Sequence, residues 1–477
     1  MNKPNGPQRS ADLRSVLGLF VVWKLVLLTI AAASPGPGYD TSTDLLLTEG
    51  QDPSQPSQAK DLAHHVLLRL VRWDSVYFVN IAQRGYLYEQ EWAFGRGFMS
   101  LIGQVAKVFP VSFLSSSPLL RQALAGSIVA HLAHALTALF LYELTLRSLP
   151  EHTVKRNDMA RLAACLHILS PAGIFLSAPY TEALFASLNV LGMLCLAMAP
   201  RPSAVLTHQV RHFLCFVSAG VCFALASTVR GNGIFSNLAF VVLCLPSLFG
   251  FLKNPFNTKH LFVLVSGAIG VMITVAGTVG PQYLAWTQYC NAGKAPIRPW
   301  CTNVPPSIYT FVQKHYWGNG FLAYWTISNM PLFLIAAPTL ILLSVTASMI
   351  LLQRLPLVII DAGRKVSRSS ADAEMTTNST LILQALAAPQ LLLSVLALTN
   401  FHVQIINRIS SGYPAWYMVL AMHIVNAQDQ AKQAKSQNSG SPGSLLLSAK
   451  NSSRIVKVMT MYAMIQGGLY ASFLPPA

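Results

Sequence analysis

The sequence predicts an all-α, polytopic membrane protein with about eleven membrane-spanning helices. Of its 477 residues, 53% are hydrophobic and 10% are charged, whereas soluble domains carry about 25% charged residues. Repeated runs of about 17–25 apolar residues have the length of membrane helices. The net charge of +16 comes without a basic stripe interleaved with aromatic residues, so we exclude a nucleic-acid partner.

The apolar runs place the spans along the chain, which we treat as a single polytopic domain over residues 1–477. The first run is open to two interpretations. After a basic start, "LTIAAASPG" resembles the end of a cleaved signal peptide, but the length of the run and Lys24 within it favour a retained helix. We predict spans near 13–33, 123–146, 159–177, 183–199, 213–229, 234–252, 261–280, 331–353, 381–399, 412–427 and 455–474.

Lysine and arginine are concentrated in alternate connections, and cytoplasmic loops are enriched in these residues. An N-terminus in the cytosol puts all five clusters on the cytosolic side. A first large loop at 34–122 and a second at 281–330 then lie on the other side, and the Ser/Gln/Lys/Gly-rich stretch 428–453 becomes a flexible cytosolic loop. The clusters are Arg147/Lys155/Arg156, Arg201/Arg211, Lys253/Lys259, Arg354/Arg364/Lys365/Arg368 and Lys432/Lys435/Lys450/Arg454.

Two segments of the first large loop are too short or too polar to span a membrane. In 97–110, Phe98 and Ile102 recur at helical spacing opposite Gln104. This pattern is typical of an amphipathic helix in the membrane interface. Residues 61–84 show a similar pattern, so the sequence predicts interfacial helices within the loop 34–122.

Polar motifs occur in every connection on the non-cytosolic side. They are "RWDSVYF", "SAPYTEA", "TVRGNGIF", the loop 281–330 and "NFHVQIINR". Their convergence on one face predicts an active site or the mouth of a translocation path. A lipid or solute transporter would carry charges on both faces and at the middle of its spans. Because mid-span charges are few here, the active site is the favoured interpretation.

Asp74 is the leading candidate for a catalytic carboxylate. The aromatic rings of Trp73 and Tyr77 flank it and favour the headgroup level of the membrane. A carboxylate held there can take a proton from a substrate hydroxyl. The alternative is a structural ion pair with Arg72 or Arg69. Two further acids of the same stretch stay open as second candidates for the base, Glu89 and Glu91.

The other motifs contain charged residues with two possible roles each. Glu182 begins a helix, where it either complements the helix dipole or contacts a substrate. Arg230 precedes two glycines that permit close backbone approach to a ligand, and arginine is the preferred bidentate partner of phosphate, but it could also extend to the membrane interface. Arg408 carries the same ambiguity, and His402 could be a structural donor.

The seven cysteines contain no CxxC pair, so a zinc site is not expected. Cys290 and Cys301 lie together in the second large loop, on the side where an oxidising lumen would permit a disulfide between them. The other cysteines lie within the spans and are expected to be packing residues.

Four blocks together carry a family likeness: "RWDSVYFVNIAQRGYLYEQEWAF", "SPAGIFLSAPYTEALFA", "RGNGIFSN" and "HVQIINR". They resemble the GPI mannosyltransferase 2 family, and the likeness extends in patches from about residue 13 to the C-terminus, with the first block the most specific. The segment "AFGRGF" stands where a proline-containing run is expected in animal members, so we assign no role to Arg96.

The resemblance implies a GT-C fold, a multi-pass enzyme of the endoplasmic reticulum membrane with its active site on the lumenal side. It implies transfer of a second, α-1,6-linked mannose from dolichyl-phosphate-mannose to a mannosyl-glucosaminyl-phosphatidylinositol precursor. Asp74 takes the place of the acidic catalytic residue in the first lumenal loop. The expected substrate contacts are Trp73, Tyr77, Glu89, Glu91, Tyr180, Glu182, Arg230, Asn232, His402, Gln404 and Arg408.

No cofactor is expected, since the lumenal loops contain no DxD motif for a divalent metal. The expected partners are the two lipid-linked substrates, the membrane and, as in fungal relatives, a small membrane subunit. Two other functions stay open: a polytopic transporter, and a non-catalytic subunit of a membrane glycosyltransferase complex. Mannose transfer by the purified protein would separate the enzyme from both.

Overall fold

The computed structural model is a bundle of α-helices, which confirms the prediction of an all-α, polytopic protein. Several acidic residues of the first large loop, within 44–61, lie outside the described residues. The structure describes residues 6–35, 40–43, 62–109, 118–200, 205–291, 298–355, 359–361, 364–366, 373–437 and 449–474.

The helices follow most of the predicted spans, because each long apolar run in this chain is bounded by polar residues. They are α1 (Gly6–Ala33), α2 (Leu62–Leu70), α3 (Asp74–Arg84), α4 (Gly97–Ala106), α5 (Pro118–Ser148), α6 (Arg156–Ile168), α7 (Thr181–Ala197), α8 (Leu206–Val229), α9 (Asn237–Lys253), α10 (Thr258–Tyr289), α11 (Ile308–His315), α12 (Met330–Leu351), α13 (Ala373–Thr399), α14 (Ile406–Ile409), α15 (Ala415–Gln437) and α16 (Ala449–Ala471).

Among the described residues, 7 helices are long and apolar enough to cross a membrane. They are α1, α5, α8, α9, α10, α12 and α13, and each coincides with a predicted span. The other four predicted spans overlap α6, α7, α15 and α16, which are shorter or more polar in their described residues. The span predicted near 159–177 extends too far, since α6 ends at Ile168. Residues 438–448 of the predicted loop 428–453 lie outside the described residues, and helices cover both of its ends.

The first part of α15 is deeply buried. Every residue from Ala415 to Met422 is fully buried, as expected for a helical segment that is apolar on all sides, whereas residues 426–429 of the same helix are partly or fully exposed. The side-chain oxygen of Gln390 in α13 accepts a hydrogen bond from the backbone N–H of Trp416 at 3.0 Å, which satisfies one of the donors left open at a helix start. This helix therefore forms the centre against which the site-bearing connections pack.

Several spanning helices contain an internal proline, at Pro246, Pro281, Pro338 and Pro389. Membrane helices tolerate this because neighbouring helices and hydroxyl side chains satisfy the freed backbone groups. α10 continues through Pro281 to Tyr289, into the start of the predicted loop 281–330. The first part of that loop is therefore helical.

Two features differ from a purely helical bundle with interfacial helices. Strands β1 (Ile359–Asp361) and β2 (Arg364–Val366) form a short antiparallel hairpin between α12 and α13. The apolar face of α4 packs on the protein, since Phe98 and Ile102 are fully buried. Helix α4 is amphipathic as predicted, but its apolar side contacts neighbouring helices within the bundle.

Short 3₁₀ turns join the helices where the polar motifs lie. They are Glu89–Phe94, Gly173–Leu176, Gly231–Ser236, Pro299–Thr302, Ile327–Asn329, Val403–Ile405 and Ser410–Gly412. Such turns bring side chains from distant parts of the chain to the ends of the helices.

Candidate active site

Four charged side chains from four separate motifs meet at one end of the bundle. We call Asp74, Glu182, Arg230 and Arg408 the charged cluster. Arg408 Nη2 donates to Asp74 Oδ2 at 3.1 Å, and its Nε lies 3.5 Å from Glu182 Oε1. Arg230 Nη1 donates to the same Glu182 oxygen at 2.8 Å. The cluster contains two carboxylates and two guanidiniums, so its formal charges cancel.

Each member of the cluster sits at the end of a helix. Asp74 is the first residue of α3 and Glu182 lies in the first turn of α7, where carboxylates are stabilised by the helix dipole. Arg230 is the capping residue directly after α8, and Arg408 lies in the single turn of α14. The polar motifs lie in the connections between apolar spans, and connections begin and end at helix termini. The charges are therefore positioned by the helix ends.

Exposure distinguishes the two carboxylates. The side chain of Asp74 is 35% exposed and that of Glu182 is 0% exposed. The second oxygen of Glu182, Oε2, accepts from Thr181 Oγ1 at 3.3 Å. Glu182 is therefore occupied by protein donors, and Asp74 is the carboxylate of the cluster that a substrate hydroxyl can reach.

Arg408 is held from two directions. Its guanidinium lies over the rings of Phe175 and Tyr180, at 5.0 and 5.6 Å from their centroids, in cation–π contacts. Burial lowers its pKa, but the neighbouring Asp74 and Glu182 carboxylates outweigh burial and raise the pKa above its ordinary value. The group therefore stays positively charged beside Asp74.

The ion pair of Asp74 is with Arg408, whereas the sequence had suggested Arg72 or Arg69 as a structural partner. Arg72 places its guanidinium 4.8 Å from the ring centroid of Phe473. Arg69 donates to the backbone oxygen of Pro35 at 3.3 Å. A partner 334 positions away was not detectable from local spacing.

The aromatic residues around Asp74 have different environments. Tyr77 is 44% exposed and its ring lies 5.6 Å from that of Phe94, so one face stays available to a ligand. Trp73 is partly exposed and has a positive φ of 54°, a conformation that L residues seldom adopt. Tyr180 is fully buried and donates to the backbone oxygen of Arg72 at 3.2 Å, so it supports the chain next to Asp74.

The structure does not bring Glu89 or Glu91 into the charged cluster. Glu91 accepts from Arg84 Nη2 at 2.5 Å and from the backbone N–H of Leu87 at 2.8 Å. Burial raises the pKa of Glu91, but these hydrogen bonds lower it by more than burial raises it, so the net shift of the pKa is downward. Both acids are buried, and their described contacts hold the turn Glu89–Phe94 in place.

Glu89 connects that turn to the second large loop. Its Oε1 accepts from the indole nitrogen of Trp300 at 2.9 Å, and Arg298 Nε lies 3.5 Å from the same oxygen. Trp300 is fully buried next to a disulfide between Cys290 and Cys301. The second loop is thus fastened to the first by a buried indole–carboxylate bond and closed by a covalent link.

Replacing Cys301 by serine should loosen this loop. The disulfide spans a sequence separation of 11, and closing a loop of that size contributes about 2–3 kcal/mol in the chain-entropy model. We expect faster proteolytic cleavage in the loop and a lower thermal unfolding midpoint for C301S. The matched control is Cys244→Ser, which changes a free cysteine in α9. Equal cleavage rates in the two variants would contradict the role of the disulfide.

The histidine motif lies beside the cluster and makes structural contacts. His402 shares a hydrogen bond of 2.9 Å with the backbone oxygen of Trp317 and stacks on Tyr324 at 4.6 Å. Gln404 lies in the adjoining 3₁₀ turn. Because a backbone oxygen can only accept, His402 is the donor in this bond, and it links the second large loop to the turn that precedes α14.

The glycines near Arg230 approach protein atoms. A Cβ on Gly233 would lie 2.6 Å from the backbone nitrogen of Ser227, so its close approach is to α8, whereas the sequence had suggested a ligand. Gly95, in the "AFGRGF" segment, has a φ of +82°, and a Cβ there would lie 2.6 Å from the Thr228 oxygen. Both glycines let chain segments pack on the end of α8 that carries Arg230.

The sequence interpretation missed several residues that complete the site. Thr181 accepts from Arg230 Nη1 at 2.7 Å, and Tyr413 Oη accepts from Asn232 Nδ2 at 3.0 Å. Phe175 forms one wall beside Arg408. Thr181 lies inside the quoted motif "SAPYTEA", which was the available signal. Phe175 lies inside the quoted block "SPAGIFLSAPYTEALFA". Tyr413 had no such signal, because aromatic residues in apolar surroundings are usually packing residues.

A family model described as "Mannosyltransferase (PIG-V)" matches residues 13–477 of the chain. Two fungal proteins named GPI mannosyltransferase 2 are similar over nearly their full length. That of Gibberella zeae is 40% identical over 476 residues, covering 98% of this chain and 99% of the relative. That of Aspergillus fumigatus is 38% identical over 465 residues, covering 98% and 93%.

Two solved structures are also similar at low sequence identity. The oligosaccharyltransferase of Archaeoglobus fulgidus is 14% identical with a TM-score of 0.47, covering 97% of this chain and 56% of that one. ArnT of Cupriavidus metallidurans is 13% identical with a TM-score of 0.43, covering 96% and 76%.

Proposed function

The chain belongs to the mannosyltransferase (PIG-V) family, and we propose that it transfers the second mannose of the GPI anchor. The donor is dolichyl-phosphate-mannose, the acceptor is the mannosyl-glucosaminyl-phosphatidylinositol precursor, and the new linkage is α-1,6. Relatives named GPI mannosyltransferase 2 at 40% and 38% identity support mannose transfer to a GPI precursor. The finer terms, and a GT-C fold, rest on the motif resemblance and on the chemistry of the charged cluster.

The single observation that carries the mechanism is the hydrogen bond from Arg408 to the partly exposed Asp74. Asp74 takes the proton from the acceptor 6-hydroxyl as that oxygen attacks the anomeric carbon of mannose. The bond from this carbon to the phosphate oxygen breaks, and dolichyl phosphate leaves with the electron pair. A β-linked donor then gives an α-linked product by a single displacement.

In this proposal Arg408 interacts first with the negative charge of Asp74 and then with the negative charge that develops on the leaving phosphate. In the resting site its guanidinium neutralises Asp74, at 3.1 Å. As the leaving phosphate gains negative charge, the guanidinium stabilises it, and the carboxylate of Asp74 is left to take the hydroxyl proton. Arg408 is therefore our assigned phosphate contact. Arg230 is engaged by Thr181 and Glu182, and we assign it to holding Glu182 against Arg408.

The aromatic residues supply the sugar-binding surface in this proposal. Tyr77 and Trp73 flank Asp74 and are both accessible in part, and aromatic faces suit the apolar faces of sugar rings. Asn232, held by Tyr413 at 3.0 Å, offers an amide for a sugar hydroxyl on the Arg230 side. These residues would orient the acceptor hydroxyl towards Asp74.

We propose that the transfer needs no cofactor and no divalent metal. Among the described residues, no group of three His, Cys, Asp or Glu side chains is arranged to hold a metal ion. The oxygens of Glu182 are bonded to Arg230 and Thr181, and Arg408 supplies the positive charge that a metal provides in other transferases.

We also propose that the protein lies in the endoplasmic reticulum membrane with the charged cluster in the lumen and its N-terminus in the cytosol. The distribution of lysine and arginine supports this orientation. An N-glycosylation acceptor introduced into the loop 281–330 should be modified in microsomes. The natural sequons at Asn378 and Asn451 should stay unmodified, and a glycan on either one would contradict the orientation.

The decisive experiment is a transfer assay with the purified protein in nanodiscs. Labelled dolichyl-phosphate-mannose and a monomannosylated GPI precursor should give a dimannosylated product, and linkage analysis should show an α-1,6 bond. A chelator should leave the rate unchanged. No transfer by the protein alone, with transfer restored by another membrane subunit that carries the activity, would identify this chain as a non-catalytic subunit.

A further inference from the structure

The chain segment just before Asp74 is held by residues from the far end of the sequence. Helix α2 ends at Leu70 and α3 begins at Asp74. A non-helical break at residues 71–73 therefore lies immediately before the proposed base. Tyr470, at the end of α16, is fully buried against this break. Its hydroxyl donates to the Leu70 oxygen at 2.7 Å and accepts from the Arg72 nitrogen at 3.3 Å.

Two residues that follow α16 hold the other side of the break. The ring of Phe473 lies 5.3 Å from that of Trp73 and 4.8 Å from the Arg72 guanidinium. The backbone oxygen of Leu474 accepts from the indole nitrogen of Trp73 at 3.1 Å. Both neighbours that precede Asp74 therefore contact the segment after α16. We call Tyr470, Phe473 and Leu474 the α16 clamp.

The α16 clamp contacts the residue of this segment that has the least favourable backbone conformation. Trp73 has φ 54° and ψ −126°, a combination that a tryptophan does not hold without surrounding contacts. This residue sets the direction in which the chain enters α3, and so the direction of the Asp74 side chain. Relaxation of Trp73 to an ordinary conformation would turn the carboxylate away from Arg408.

We propose that the α16 clamp positions the base: Tyr470 and Phe473 hold Trp73 in its positive-φ conformation and thereby aim the Asp74 carboxylate. The inference rests on the proposed function, because it concerns the geometry of that reaction. Tyr470 and Phe473 are positioning residues, since they contact the chain beside Asp74 and reach neither substrate. Ser75 and Tyr180 complete the arrangement from the other side, each donating to the Arg72 oxygen.

The kinetic test uses Tyr470→Phe and Phe473→Ala. A misplacement of about 1 Å can cost about 100-fold in rate, so we expect kcat to fall by about 10- to 100-fold. KM for dolichyl-phosphate-mannose should stay within about twofold, since its proposed phosphate contact, Arg408, lies outside the clamp. KM for the acceptor should rise by a smaller factor than kcat falls, because Trp73 belongs to the proposed acceptor surface. Phe473→Trp keeps a ring against Trp73 and should restore most of kcat. Ile465→Ala, at an exposed position of α16, is the matched control and should resemble the wild type.

A double-mutant cycle tests whether the effect passes through Asp74. Asp74→Glu moves the carboxylate by one methylene, so the clamp no longer aims it correctly. In that background Tyr470→Phe should lower kcat by a smaller factor than it does in the wild type. An equal factor in both backgrounds would show an effect on stability alone and would overturn the proposal.

Hydrogen–deuterium exchange tests, independently of activity, whether the α16 clamp orders the chain beside Asp74. Residues 70–76 should exchange faster in Tyr470→Phe and Phe473→Ala than in the wild type and in Ile465→Ala, because the clamp no longer orders them. Unchanged exchange would overturn the clamp, and so would faster exchange with an unchanged kcat. If the wild-type protein transfers no mannose from dolichyl-phosphate-mannose, the proposed function fails, and exchange alone supports or rejects the clamp.

Discussion

Asp74→Asn should lower kcat for mannose transfer by about 100- to 10,000-fold, the usual contribution of a positioned general base. Asparagine has nearly the same shape but no negative charge, so it cannot take the proton of the acceptor hydroxyl. It also removes the ion pair at 3.1 Å with Arg408. Because the Asp74 side chain is 35% exposed, we expect only a small change in stability. The measurement is the rate of product formation by purified protein at saturating substrates.

The control for this variant is Asp158→Asn. Asp158 is another partly exposed carboxylate near an arginine, with Arg161 Nη2 at 3.5 Å, and it lies on α6 away from the cluster. It should retain wild-type kcat, and both variants should keep the wild-type thermal unfolding midpoint. A kcat for Asp74→Asn within about threefold of the wild type, less than 1 kcal/mol of barrier, would remove Asp74 from the role of base.

Glu182→Gln should reduce the free energy of unfolding by about 3–5 kcal/mol, the cost of removing one partner from a buried ion pair. Glu182 is 0% exposed and its Oε1 lies 2.8 Å from Arg230 and 3.5 Å from Arg408. An amide keeps a hydrogen-bond acceptor but leaves two guanidiniums without a charge between them. The measurement is thermal and denaturant unfolding of the purified protein in detergent.

Two comparisons make this result interpretable. Glu151→Gln changes an exposed glutamate and should leave stability nearly unaltered, as expected for surface charges. The double variant Glu182→Gln/Arg230→Gln removes one of the facing guanidiniums and should recover part of the lost stability. Equal unfolding midpoints for Glu182→Gln and Glu151→Gln would show that the cluster is not a buried ion-pair network.

The chain sequence was informative wherever a property depends on neighbours along the chain. Apolar runs predicted the helices, and polar motifs such as "SAPYTEA" marked the connections that carry Glu182 and its neighbours. The spacing of residues along the chain did not identify which acidic residue is the catalytic base. Asp74, Glu89 and Glu91 lie within one stretch of the chain, and nothing in their spacing shows which of them faces protein donors and which faces a ligand.

The sequence by itself determined that this is a helical membrane protein whose charged residues lie in the connections, since length, apolarity and charge are properties of each segment alone. Only the tertiary structure decided which charges meet. Arg408 and Asp74 are 334 positions apart, and Tyr470 contacts Leu70 across 400 positions. Such pairs depend on how the helices pack, because a buried charge or hydroxyl bonds to whichever partner the packing brings within about 3 Å.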